Sequence, residues 1–160
     1  MSDPLYEGLA AAAVDFAVFL PDSVLYRPER RLQVEGACTT VVCSREDEGV
    51  AIACGAALAG RRAVVMMEGS GLGLCGLILA RAQSQRTPLL VVFSHVRTRG
   101  DPADYHISSR LAGEGTCIGL GIPYEVLRSP DEARTLLPEL MATAVGQKTV
   151  VALGVPGGFA

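Results

Sequence analysis

The sequence predicts an α/β fold: a doubly wound, mostly parallel six-stranded sheet with helices on both faces, in one domain spanning residues 1–160. Three observations predict it. Short runs rich in Val, Leu and Phe alternate with longer stretches of helical character. The runs Ala63–Met67 and Leu89–Ser94 lack polar alternation, as strands buried on both faces of a parallel sheet do. Apolar residues make up 49% of the chain, enough for a full core without metal or disulfide staples.

Along the chain, a helix over Pro4–Ala13 precedes a strand over Phe16–Leu20. A helix over Ser23–Glu29 separates that strand from Thr39–Cys43. The next helix, Arg45–Ala59, has Ser44 as an N-cap and acids in its first turn, where the helix dipole favours negative charge. Strand Ala63–Met67 leads through a glycine-rich loop into a helix over Leu72–Gln85, and then to strand Leu89–Ser94. A helix over Asp104–Leu120 leads to a strand over Tyr124–Leu127. Ser129 followed by Pro130 is a cap with proline at the first helical position, opening a helix over Pro130–Val145. A strand over Val150–Val155 closes the series. Such sheets, with right-handed crossovers, bind ligands beyond the carboxyl ends of their strands. The loops to inspect are therefore LPDS, CSREDE, MEGSGLG and SHVRTRGD.

Composition excludes several classes. A net charge of −3 leaves no footprint for nucleic acid, and Arg27, Arg30 and Arg31 read as solvated surface. No apolar run approaches the roughly 18 residues of a membrane span. The opening MSDPLYEG carries acids where a signal peptide has positive charge, so a cytoplasmic location is expected. The five cysteines form no CxxC pair and mostly sit in apolar runs, as small buried hydrophobes do. No metal site is expected, since only His95 and His106 are present and the spacing is not that of ligands. A G-x-S-x-G elbow and a P-loop lysine are both missing.

Three loops carry possible chemistry. Gly71-x-Gly73-x-x-Gly76 has the spacing of a dinucleotide fingerprint between a strand and a helix. The following strand, however, ends in Ser94-His95 rather than in an acid for a ribose hydroxyl. Tight turning with close helix packing, another ligand, or a partner chain are the remaining readings. His95, beside Arg97 and Arg99, is either a general acid or base or a satisfied structural histidine. In SREDEG, Glu46 and Asp47 suit a capped first turn. Counted from Ser44, Glu48 is the fourth helical residue and leads into a wholly apolar helix. A buried carboxylate without a partner costs on the order of several kcal/mol. Glu48 is therefore expected to meet a partner from another loop, another chain or a cofactor.

The segments SREDEGVAIACGAALAG, VVMMEGSGLG, TPLLVVFSH and LGIPYEVLRSPDEA, with VDFAVFLPDSVLYR before them, occur in an order that resembles the pyrimidine-binding domain of thiamine-diphosphate enzymes. Within that group they resemble the sulfopyruvate decarboxylase alpha subunit and phosphonopyruvate decarboxylase, over roughly Val14 to Ala133. The resemblance implies that Glu48 hydrogen-bonds the cofactor's aminopyrimidine, with His95 as a second catalytic residue. It implies that Gly69, Ser70, Gly71 and Leu72 lie by the pyrimidine, and that Asp22, Ser23, Glu68 and Arg97 face a small 2-oxo acid. It further implies that the diphosphate and Mg2+ are held by a separate diphosphate-binding chain, since this one has no Gly-Asp-Gly motif. The assembly would then be a heteromer with at least two copies of each chain. Decarboxylation is the implied activity; a carboligase subunit, or a non-catalytic nucleotide-binding or scaffolding subunit, is the alternative. Where the family reads Met-Gln-Asn-Ser-Gly-Leu-Gly-Asn, this chain has Met67-Glu68-Gly69-Ser70-Gly71-Leu72-Gly73-Leu74. The added carboxylate repels a sulfonate or phosphonate unless a cation such as Arg97 neutralises it.

Overall fold

The structure, a computed structural model, describes residues 2–35, 38–98 and 101–159. Six strands form one sheet: β1 (Phe16–Phe19), β2 (Thr39–Val42), β3 (Ala63–Glu68), β4 (Leu89–His95), β5 (Tyr124–Val126) and β6 (Val150–Pro156). Their spatial order is β2-β1-β3-β4-β6-β5, and each neighbouring pair among the described residues is parallel. The connecting helices are α1 (Pro4–Ala11), α2 (Tyr26–Glu35), α3 (Glu46–Leu58), α4 (Gly69–Leu72), α5 (Gly76–Ser84), α6 (His106–Leu120) and α7 (Ala133–Gln147).

Strand alternation divides the core into two layers. Val64, Met66, Leu90, Val92, Val151 and Leu153 face α1, α2 and α7. Ala63, Val65, Met67, Leu89, Val91, Phe93 and Ala152 face α3, α5 and α6. With both faces covered, β3 and β4 have no side for polar residues until their carboxyl ends. Each Val or Leu buried there contributes about 1.5–3 kcal/mol over an exposed one. At the opposite end of the sheet, Asp15 accepts from the Arg62 N–H (2.9 Å) and from Arg61 Nε (3.0 Å), tying β1 to β3.

The expected elements are all present, with three local differences. The helix expected from Ser23 begins at Tyr26, because the Asp22 carboxylate takes the Val24 and Leu25 N–H groups and makes a turn first. The helix expected over Leu72–Gln85 is broken into α4, a 3-10 turn at Gly73–Cys75, and α5. Ser129 has the extended backbone of a cap but no capping bond from its side chain; Glu132 instead accepts the Arg128 N–H at 2.7 Å. All five cysteines are free and buried, and burial pushes the Cys75 thiol up to about 12. Among the described residues, no helix is long and apolar enough to cross a membrane.

Helices α1 and α7 pack through Gly8, where an added Cβ would collide with the Ala133 carbonyl oxygen and come within 2.8 Å of Leu137 Cδ1. Gly55, on α3, has open space instead. Gly8→Ala is expected to destabilise the chain by about 1–3 kcal/mol through overpacking. Gly55→Ala is expected to stabilise it by up to about 1 kcal/mol through helix propensity. Thermal melts of the two variants beside the parent check the contrast.

Candidate active site

The carboxyl ends of β1, β3, β4 and β6 open onto a cleft of about 560 Å³ lined by Asp22, Ser23, Glu68, Ser94, Thr98, Asp101, Tyr105 and His106, with several apolar neighbours. Three of the expected residues, Asp22, Ser23 and Glu68, thus converge from the loop after β1 and from the end of β3. Ser94 links them. Its hydroxyl donates to Asp22 Oδ2 (3.3 Å) and accepts the Gly69 N–H (3.3 Å). Glu68 is in register with Ser94 across the β3–β4 ladder, and its Oε1 accepts from the Ser109 hydroxyl of α6 at 2.8 Å. Burial raises the Asp22 carboxyl above the ordinary range, and the nearby Glu68 charge adds to this; its two backbone bonds pull the other way. Behind Asp22 lies Glu29 of α2, only 3% exposed. Burial pushes its carboxyl up to about 8, with the Asp22 charge adding, and its Oε1 has no partner.

The acids at the start of α3 are arranged differently from expectation. The cap position belongs to Arg45, with φ −145°, and the first helical residue is Glu46. Glu48 is then the third helical residue, within the first turn. It is exposed, and its carboxylate folds back to accept the Ser44 N–H at 3.0 Å. The premise that Glu48 is buried and unpartnered is therefore corrected: it satisfies a free backbone donor at the helix start. Asp47 accepts the Glu48 N–H (3.0 Å) and pairs with Arg45 (2.9 Å), whose guanidinium holds its carboxyl below the ordinary range. Glu46 remains. It is half-buried, and among the described residues its carboxylate takes no hydrogen bond. A Cβ on Gly71 would lie 2.7 Å from Glu46 Oε1, so only glycine admits this carboxylate.

The glycine loop is compact rather than open. A Cβ on Gly69 would come within 2.6 Å of the Ser94 carbonyl oxygen, and one on Gly73 within 3.1 Å of Ala112 Cβ. Of the readings the fingerprint spacing allowed, the geometry favours tight turning and close packing: the Gly69 N–H is already held by Ser94. Ser70 is half-buried beside this contact, whereas Leu72 is wholly buried in the core under α3 and α5 and is corrected from a cofactor contact to a core residue.

The loop after β4 reverses two further expectations. His95 follows the alternation of Phe93, so it faces α6 and not the cleft. It is 5% exposed, and its Nε2 pairs with Glu114 Oε1 at 2.8 Å. Burial opposes ionisation of Glu114, but the bonds from His95 and Arg110 hold its carboxyl below the ordinary range. Arg97, at φ +61°, points its guanidinium at the Asp101 and Ala103 carbonyls and at Asp104, and does not line the cleft. Arg99 and Gly100 lie outside the described residues. The residue that sequence reasoning missed is His106. Its Nδ1 lies 2.6 Å from Asp101 Oδ2, and it lines the cleft beside Tyr105. The Ala103 N–H, then His106 and the Arg97 N–H, hold the Asp101 carboxyl down at about 2. Such a carboxylate–imidazole pair can fix the ring's tautomer and leave its other nitrogen for proton transfer. The only signal in the sequence was His106 opening a helix a few residues after an Asp.

The fold defines a class, an α/β domain built on a six-stranded parallel sheet, and solved structures share it. Benzoylformate decarboxylase from Polynucleobacter necessarius matches 98% of this chain over 29% of its own, with a TM-score of 0.78 and 21% identity. A thiamine diphosphate-dependent 4-hydroxybenzoylformate decarboxylase from Rhodococcus jostii matches 98% over 30%, at 0.68 and 17%. These likenesses are of fold, and this chain spans less than a third of either protein. The sulfopyruvate decarboxylase alpha subunit of Methanothermobacter thermautotrophicus is 32% identical over 153 residues, covering 95% of this chain and 93% of that one. The alpha subunit of Methanococcus maripaludis is 27% identical over 156 residues, covering 95% and 92%. This chain belongs to the family of sulfopyruvate decarboxylase alpha subunits. No family model matches the chain.

Glu29 also gives the domain a pH dependence. Folded, it keeps its proton to about pH 8, whereas the ordinary value is 4.5. The folded state therefore binds more protons between these values, and Glu29 makes stability fall as pH rises through that window. Glu29→Gln is expected to remove a slope of up to about 1.4 kcal/mol per pH unit. Urea unfolding at pH 5, 6.5 and 8 checks it: the variant's advantage over the parent must grow with pH.

Proposed function

We propose that residues 1–160 form the pyrimidine-binding half of a thiamine-diphosphate-dependent 2-oxo acid decarboxylase, completed by a separate chain. The observation that carries this reading is the Glu46 carboxylate, half-buried, without a hydrogen-bond partner among the described residues, and admitted by Gly71. A half-buried carboxyl without a partner fits a ring nitrogen with which it can share a proton, as the aminopyrimidine of thiamine diphosphate would, the nitrogen donating to the carboxylate once it carries that proton. When bound, that cofactor supplies the electron sink for the pair released as carbon dioxide leaves.

This chain's residues then have distinct tasks. Glu46, not Glu48, holds the proton shared with the pyrimidine nitrogen. The turn at Gly69–Leu72 keeps Glu46 and Glu68 on either side of one short helix. Ser23, Glu68 and Ser94 line the space for the 2-oxo acid. His106, oriented by Asp101, moves a proton at its Nε2 and takes the role expected of His95. The diphosphate and Mg2+ belong to the partner chain, in a heteromer with at least two copies of each. The alpha-subunit names of the relatives support a partner, as do apolar side chains left exposed on α5 and α6, including Leu77, Leu111 and Ile118. The setting we propose is cytoplasmic, where five buried cysteines would remain as free thiols.

Carbon dioxide release by the enzyme reconstituted with its partner, thiamine diphosphate and Mg2+ tests the assignment. Glu46→Gln is expected to lower the rate by about 10²–10⁴-fold while the assembly stays intact on gel filtration. Glu48→Gln, which touches only the Ser44 N–H, is expected to stay within about threefold; the reverse order of effects would refute the choice of Glu46. His106→Asn is expected to lower kcat at least about tenfold and remove one limb of its pH profile. His95→Asn is expected to lower the melting temperature and leave that limb in place.

A further inference from the structure

We infer that Arg110 of α6 is a positioning residue for the proposed proton transfer: by holding the Arg97 carbonyl, it fixes the loop in which Asp101 orients His106 at the cleft. The inference rests on the role given to His106 above and adds a residue that acts on it from outside the described lining.

His106, Arg110 and Glu114 follow one another at intervals of four along α6, so they form a single stripe on the helix. All three are half-buried. At one end of the stripe, Glu114 Oε1 pairs with the buried His95 at the end of β4 (2.8 Å). Glu114 Oε2 accepts from Arg110 Nε at 3.1 Å. Arg110 Nη1 then donates to the Arg97 carbonyl at 3.0 Å. The guanidinium thus ties the end of a central strand to the loop that leaves it.

Arg97 is where the tie acts. Its φ of +61° is a left-handed backbone that residues with a side chain rarely adopt. From this conformation its N–H donates to Asp101 Oδ2 (2.8 Å) while its carbonyl takes Arg110. Asp101 is gripped further along: its N–H bonds the Thr98 carbonyl (3.1 Å), and its Oδ1 accepts the Ala103 N–H (3.0 Å). The same Oδ2 that takes the Arg97 N–H meets His106 Nδ1 at 2.6 Å. Fixing the Arg97 backbone therefore fixes the acceptor that orients the imidazole. Released from Arg110, Arg97 is free to relax to negative φ, and its N–H leaves Asp101.

The position calls for arginine and not for any cation. Nε and Nη1 lie in one rigid plane and serve two acceptors, Glu114 and Arg97, at once. A lysine keeps the charge but offers one ammonium on a flexible stem, so it cannot reproduce the tie.

The test has two arms. Proton–nitrogen NMR correlation spectra of the isotope-labelled full chain, at a pH where the rings are neutral, read the imidazole tautomers. The chain has two histidines, and His106→Asn assigns them. The parent His106 ring is expected to carry its proton on Nδ1, held by Asp101. Arg110→Gln and Arg110→Lys are each expected to return it to the tautomer mixture of a free imidazole, with helix content by circular dichroism unchanged. In the reconstituted holoenzyme, either substitution is expected to lower kcat for carbon dioxide release at least about tenfold with KM within about twofold. Added to His106→Asn, Arg110→Gln is expected to cost no more than about twofold further, because both act through one imidazole. A parent ring without the Nδ1 tautomer, a parent-like tautomer in either Arg110 variant, or losses that multiply in full in the double variant would overturn the inference and leave the decarboxylase standing. Carbon dioxide released from no 2-oxo acid would instead overturn the reading on which it rests, and the tautomer arm would still decide whether Arg110 orients His106.

Discussion

The site depends on one close backbone contact, that of Gly69 with the end of β4. With a side chain at Gly69, a Cβ would lie 2.6 Å from the Ser94 carbonyl oxygen. The Gly69 carbonyl is approached in turn by Gly113 of α6, where a Cβ would sit 3.2 Å away. Glycines on two elements thus let β4, α4 and α6 meet at backbone distance. Several consequences follow from α4 lying so low on the sheet. The Gly69 N–H reaches Ser94 Oγ, Glu68 is carried to Ser109, and Gly71 is presented to Glu46. One turn of helix therefore sets the spacing between the acid that would meet a cofactor and the acid that lines the cleft.

Among the described residues, the carboxylates at the cleft are managed by protonation and by hydrogen-bond donors. Asp22 lies between the charge of Glu68 and the buried Glu29, and keeps two backbone N–H bonds that oppose the upward push of burial on its carboxyl. Glu29 takes the other route and stays protonated to about pH 8. Two neighbouring ionised carboxylates would repel each other, and the proton is held on the more buried one, Glu29, where the Asp22 charge adds to the upward push of burial. On the far side of β4, His95 and Glu114 form a separate pair under α6. That pair anchors α6, and α6 in turn carries Ser109 and His106 into the cleft.

The fold was legible because its strands are continuous apolar runs, and such runs have one good home, the centre of a parallel sheet. The convergence of Asp22, Ser23 and Glu68 on one cleft was legible because it depends on strand ends, which the topology brings together. Other residues were misread where one residue of register decided the outcome. Capping was assigned to the Ser44 side chain, which moved the helix start by one residue and made Glu48 seem surplus. The backbone is instead capped by Glu48 reaching back, a bond between residues four apart that depends on the Arg45 backbone being extended. His95 was open to correction from the sequence, since a period of two from Phe93 assigns it to the α6 face. His106 was not, because its place depends on a loop folded around Asp101, which takes both the Arg97 and Ala103 N–H groups.

The difference between Glu46 and Glu48 bears on the proposal that this chain holds one half of a site. Both are acids in the first turn of the same helix and both gain from its dipole. Glu48 is complete within the chain, since it has a donor and is exposed to water. Glu46 is pressed against a glycine that has no side chain to answer it, and no donor among the described residues reaches its carboxylate. Within one chain that arrangement is a liability, for a half-buried carboxylate gives up hydration and gains no hydrogen bond. It becomes favourable when a donor arrives from outside, as a cofactor anchored on a second chain would supply under the proposed function. The same logic extends to the exposed Leu77 and Leu111 on the helices that flank the glycine turn. The chain leaves a polar vacancy and an apolar surface on neighbouring elements, and a single partner carrying a cofactor would satisfy both.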